Sequence, residues 1–199
     1  MSRDIQMRLV YAWERKAYPG YLDPARSLEV TDVRALVKRV HSDVLRAGGY
    51  AHEAPVVQFT KRNGSACAKW GLLKFTPGRV SPELALHEIA HALTWHWHAS
   101  QSAMRTNADD PLTIHARKLF CTQGHGPRYV ACFIALCERY AGHSADRCVE
   151  LARSFDYEVW RMVHTGNGMM QQRQYVTKRG SVRIDMAALA YWRALLAAA

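Results

Sequence analysis

His87, Glu88 and His91 stand in the order H-E-x-x-H inside the stretch LALHEIAHALTW, Leu84 to Trp95. On a helix, residues four apart share a face and lie about 6 Å apart along the axis. Two imidazoles placed that way converge on one Zn²⁺, each nitrogen at about 2.0–2.1 Å. Glu88 follows the first histidine and projects beside it. That position suits a general base acting on a water held at the metal, rather than a ligand of the metal itself. Simple residue frequencies give a chance occurrence of this motif in such a chain a probability of about 2%, so it requires supporting context.

A catalytic zinc takes a third protein ligand, and the stretch does not contain one. His98 shares the face of His91, but a continuing helix carries it about 10 Å further along the axis. His96 lies on a different face. His115 sits in the segment PLTIHARKLF, readable as a short helix. His125 precedes Gly126 and Pro127 at the entrance of a strongly helical segment, and Glu138 lies well inside that segment. On residue types alone these remain alternatives.

HEIAH followed at a distance by HGPRYVACFIALCERYAG resembles the H-E-x-x-H … H-G-x-x-aromatic pattern of SprT-like zinc metalloproteases. The match is closer to uncharacterised zincin-type metallohydrolases of actinobacteria and their phages. Those also resemble the opening RDIQMRLVYAWERKAY and the segment LEVTDVRALVKRV, so the resemblance touches most of residues 3–142. It implies a minimal zincin-like fold, Zn²⁺ as cofactor, His87, His91 and His125 as ligands, Glu88 as catalytic base, and a peptide or protein as substrate. Local sequence also favours His125: Gly126 permits close backbone approach, and Pro127 starts a helix at once. Two features depart from the SprT pattern. The stretch between His91 and His125 is 33 residues long, and no cysteine follows Cys148, which argues against a C-terminal zinc ribbon and a DNA-repair role.

The elements that must position these residues can be read in outline. Residues 3–17 form an amphipathic pattern with Ile5, Leu9, Ala12 and Trp13 on one side. A second helix starts near Thr31 as N-cap and carries the stripe Val33, Leu36, Val37, Val40, Val44 and Leu45, ending at Gly48-Gly49. APVVQFTKR and ACAKWGLLKF read as a hairpin or meander turning at Asn63-Gly64. Trp70–Gly78 reads as a core or edge strand, and as an edge it could hold an extended peptide. Ser81 is the expected N-cap of the motif helix, with Pro82 at its first position. Pro127 opens a helix that Gly142 closes. SADRCVELARSFDYEVWRMVHT reads as one helix with Ser144 as its cap. QQRQYVTKRGSVRI reads as a basic hairpin, and MAALAYWRALLAAA as a terminal helix. The order predicts an α+β fold, mainly helices on a small sheet. It comprises one domain over 1–199, with 171–199 a hairpin-plus-helix appendage. Tyr129 reads as a packing aromatic, and Arg128, Tyr140 and Tyr175 as candidates to assist an oxyanion.

Composition narrows the function classes. The chain has 199 residues, 49% of them apolar, which suits a domain with a substantial core and excludes disorder. No apolar run approaches the roughly 20 residues of a membrane span, and the N-terminus lacks a signal-peptide pattern, so the expected compartment is the cytoplasm. Five cysteines without a C-x-x-C pair predict reduced thiols. The net charge is +10, but the excess is +3, +4 and +3 over residues 1–50, 51–149 and 150–199. Charge so dispersed predicts, at most, weak and non-specific nucleic-acid binding. Two readings result. One is a zinc hydrolase, most simply a peptidase. The alternative is a zinc-stabilised binding protein, host-interacting or nucleic-acid-binding, without hydrolytic activity. An intact Glu88 favours the enzyme.

Overall fold

A computed structural model of the chain describes residues 6–48, 54–60, 67–69, 72–94, 124–164 and 171–199, with backbone alone at 67–69, 160–164 and 171–175. The fold is mixed and helix-rich. Helix α1 (Met7–Ala17) buries Val10, Ala12, Trp13 and Glu14. A single 3₁₀ turn, Pro24–Arg26, leads into α2 (Val30–Arg46). Three short strands follow: β1 (Val56–Phe59), β2 (Cys67–Lys69) and β3 (Leu72–Phe75). Then come α3 (Pro82–Thr94), α4 (Pro127–Ala141) and α5 (Ala145–Arg153). The long strands β4 (Phe155–His164) and β5 (Gln171–Gly180) precede α6 (Met186–Ala197). No described helix is long and apolar enough to cross a membrane.

Helix α3 is the centre of the arrangement. Its N-terminus forms as its sequence dictates: the Ser81 hydroxyl accepts from the backbone N–H of Leu84 at 3.1 Å and donates to the carbonyl of Tyr21 at 2.6 Å. That one side chain caps the helix and ties it to the loop after α1. Leu73 and Phe75 of β3 are buried, and β2 and β3 pack on α3. On another side α3 packs against α4, whose residues Tyr129 to Cys137 are all buried. Gly142, at φ 72°, closes α4 in the left-handed conformation that glycine adopts without steric cost.

Several expectations are corrected. Helix α2 begins at Val30 with Glu29 in the cap position, so Thr31 lies inside the first turn; the Glu29 carbonyl accepts from Asp32 and Val33. Leu45 turns outward and is 48% exposed. The three-stranded sheet runs β1-β3-β2, with β1 parallel to β3 and β2 antiparallel to it. The hairpin is therefore β2–β3, connected across residues 70–71. Asn63-Gly64, which lies outside the described residues, does not join antiparallel partners.

The single helix expected from Ser144 onward stops at Arg153. Ser144 does cap it, accepting from Arg147 N–H at 3.3 Å. Ser154 then goes fully extended, and Phe155, Tyr157 and Val159 alternate at the two-residue period of a strand. The partner of β4 is β5, paired antiparallel from Phe155↔Gly180 to His164↔Gln171. QQRQYVTKRG is thus one straight strand of that hairpin rather than a hairpin of its own. Helix α6 lies against α4, with Trp192 fully buried and Leu189 and Leu196 nearly so, all within the main core.

Candidate metal centre

His87 and His91 sit four apart on α3, with His87 1% exposed and His91 6% exposed. His125 is placed just before α4 and is 6% exposed. Packing of α3 on α4 brings the three rings together. Ring centroids are 4.8 Å apart for His87–His91, 4.7 Å for His91–His125 and 5.4 Å for His87–His125. One nitrogen from each lies within 4.8 Å of those of the other two. Tetrahedral zinc with Zn–N of about 2.0–2.1 Å needs nitrogens about 3.4 Å apart, so the three would draw closer around an ion. The carboxylate of Glu88 lies alongside, with Oε1 3.7 Å from His87 Nε2 and the residue 4% exposed.

The chemistry of the donor set fits a metal ion. Burial, followed by the neighbouring His125, holds His87 well below the usual histidine range. Burial, then His87 and His125, does the same to His91. Both rings are therefore neutral at physiological pH, and a neutral imidazole has a lone pair to give. Three imidazoles suit zinc, and they leave a fourth position open.

The other nitrogen of His87 is enclosed by oxygens. Nδ1 lies 2.9 Å from Glu14 Oε1, 3.0 Å from Tyr21 Oη and 2.5 Å from Tyr129 Oη. The Tyr129 hydroxyl also donates to Glu14 Oε1 at 3.3 Å, and the Tyr129 ring stacks on His91 at 4.2 Å. Tyr129 is a packing aromatic, as read, and a polar contact of the centre as well. Glu14 is completely buried. Burial pushes its carboxyl up to about 8, against opposing effects of His125, the Tyr21 and Tyr129 hydroxyls and Arg15. A dication on the far side of the His87 ring would favour the carboxylate.

His125 is fixed through its backbone. Gln6 Nε2 donates to the His125 carbonyl at 2.7 Å, while Gln6 Oε1 accepts from the N–H of Arg183 at 3.2 Å. The N–H of Asp185 reaches the Pro127 carbonyl at 3.1 Å, and the Asp185 carboxylate pairs with Arg128 at 3.3 Å. The start of α1 and the approach to α6 thus grip the His125 turn from two sides.

The other candidates lie elsewhere. Glu138 pairs with Arg193 at 2.8 Å and is outside the histidine cluster. The Tyr140 hydroxyl donates to Asp43 at 2.8 Å. His96, His98 and His115, and the Tyr175 side chain, fall outside the described residues. Glu14, Tyr21 and Gln6 had no motif to mark them. The available signal for Glu14 was a carboxylate in the apolar stripe between Val10, Trp13 and Tyr18 of an amphipathic helix. Comparison with protein-family models, curated proteins and solved structures gave no match.

Proposed function

We propose that the chain is a zinc-dependent hydrolase of SprT-like, zincin type, most simply a peptidase acting on a peptide or protein in the cytoplasm. The observation that carries this reading is the convergence of His87, His91 and His125 within 4.8 Å beside the carboxylate of Glu88. His87, His91 and His125 would hold the ion. Zinc bound there would supply Lewis acidity, lowering the pKa of a water to about 7 and polarising a carbonyl.

The remaining chemistry belongs to the protein. Glu88 is anchored on the same helix as two of the ligands, so its distance from the centre is set by backbone rather than by a mobile loop. Its carboxylate takes the proton of the attacking water and returns it to the leaving amine. Burial excludes bulk water, which strengthens that carboxylate's interactions. The buried Cys132, Cys137 and Cys148 form no disulfide, which suits a reducing compartment.

Metal analysis of the purified protein, followed by comparison of wild type with Glu88→Gln on a mixed peptide library, tests the proposal. The expected result is one zinc per chain in both proteins and cleavage by wild type alone. Absence of zinc, or equal cleavage by the variant, would reject it. Zinc in both with cleavage by neither would support the zinc-stabilised binding protein instead.

A further inference from the structure

We infer that Glu14 is a positioning residue for the metal: its carboxyl group, clamped by Tyr21 and Tyr129, holds His87 in the Nδ1–H form that leaves Nε2 for the ion. The inference rests on the proposed metal centre and adds a residue from a different helix to it.

The argument begins with a single nitrogen. His87 Nδ1 has three oxygens within hydrogen-bond reach, from Glu14, Tyr21 and Tyr129. A ring nitrogen either donates one proton or accepts one. A neutral histidine that binds a metal through Nε2 carries its proton on Nδ1, so that proton needs an acceptor. Tyrosine hydroxyls can donate or accept, and two of them beside Nδ1 do not decide between the tautomers. A hydroxyl that donated to Nδ1 would put the ring proton on Nε2, where it blocks the metal.

Glu14 decides the matter. Tyr129 donates to its Oε1, and Tyr21 is hydrogen-bonded to the same carboxyl. A carboxylate can only accept, so assigning both hydroxyl protons to Glu14, the acceptor the three groups share, leaves neither for Nδ1. The Glu14 oxygen at 2.9 Å then accepts from Nδ1–H. No bulk water competes, because Glu14 and Tyr129 are fully buried and His87 is 1% exposed. Two further contacts steady the ring: Tyr11 stacks on it with centroids 5.6 Å apart, and Phe133 meets it edge-on at 5.8 Å.

Isotherms of zinc binding, measured by chelator competition on wild type and Glu14→Gln, test this together with melting of the zinc-free proteins. The amide keeps the shape but offers donors where a pure acceptor is needed. Zinc affinity should fall 10- to 100-fold. The zinc-free melting temperature should hold or rise, because a buried carboxyl has been removed. In proton NMR of the zinc-loaded wild type, the His87 Nδ1 proton should resonate far downfield and move upfield in the variant.

Unchanged zinc affinity in Glu14→Gln, with wild type binding normally, overturns the inference and leaves the metal centre standing. An affinity loss in a folded Glu14→Gln, matched by an equal fall in the zinc-free stability, also overturns it, because Glu14 would then be structural. Failure of wild type to bind zinc overturns both. If Glu14→Gln does not fold, Tyr21→Phe removes one of the two hydroxyls directed at the carboxyl. That variant should then lose zinc affinity several-fold at unchanged melting temperature, and unchanged affinity there rejects the inference.

Discussion

Glu83 and His143 meet across the packing of α3 on α4, with His143 Nε2 2.9 Å from Glu83 Oε1. The Arg26 guanidinium reaches the same oxygen at 2.9 Å. One buried carboxylate therefore joins the first turn of α3 to the 3₁₀ turn before α2 and to the cap of α4.

This cluster predicts a pH-dependent share of stability. Burial pushes the Glu83 carboxyl up, but the His143 hydrogen bond, its backbone N–H and the charges of Arg26 and His143 outweigh it, leaving it below the usual 4.5. A carboxyl depressed in the folded state contributes stability above its unfolded pKa and loses it as pH falls through the folded value. Glu83→Gln should cost about 1–3 kcal/mol at neutral pH. Denaturant melts should show the two proteins converging as pH falls below the usual carboxyl range. A constant difference down to pH 2 would contradict the assignment.

Gln6→Ala removes both hydrogen bonds that hold the His125 carbonyl and the Arg183 N–H. The expected cost is about 1–3 kcal/mol in stability, from buried backbone groups left unsatisfied. Zinc affinity should fall as well, because the third imidazole is no longer fixed. Equilibrium unfolding and chelator competition on one preparation measure the two effects.

Trp192→Ala should destabilise the whole protein by about 3–5 kcal/mol in urea melts. Trp192→Phe should cost less, because the indole N–H has no hydrogen-bond partner among the described residues. A harmless Trp192→Ala would mean that α6 is peripheral to the core.

Free zinc at 100 times its Kd should stabilise the protein by about 2.7 kcal/mol, read as a rise in melting temperature that a chelator reverses. His91→Ala should abolish that rise.

Arg153 and Arg179 line an open recess with Ser154, Gly180 and Ser181 on the β4–β5 side of the molecule. Neutralising both arginines should weaken what nucleic-acid binding there is about equally for all sequences, and should flatten its salt dependence. Filter binding at several salt concentrations measures this. Sequence-selective binding at physiological salt would contradict it.

The motif helix was legible because its signals are local. Ser81, Pro82 and the H-E-x-x-H spacing all lie within one short segment and agree with one another. The His125 turn was legible for the same reason, through Gly126 and Pro127. Pairing was not, because it joins segments distant in sequence. Asn63-Gly64 advertised a turn, yet β1 found its partner in β3 and runs parallel to it. Phe155 to His164 follows a well-capped helix and continues its apolar character, and only the presence of β5 makes it a strand. Glu14 meets His87 across 73 positions of chain, with no spacing rule to connect them.

The grip of Gln6 and the 183–185 segment on the His125 turn sets an order of events during synthesis. His87 and His91 leave the ribosome long before Arg183 and Asp185, and α3 can form as soon as it emerges. Until the segment before α6 arrives, nothing holds the His125 turn from the Arg183 side, and Gln6 alone reaches the His125 carbonyl. On the proposed metal reading, a product cut short before Arg183 would carry the H-E-x-x-H motif with the His125 turn held from the Gln6 side alone.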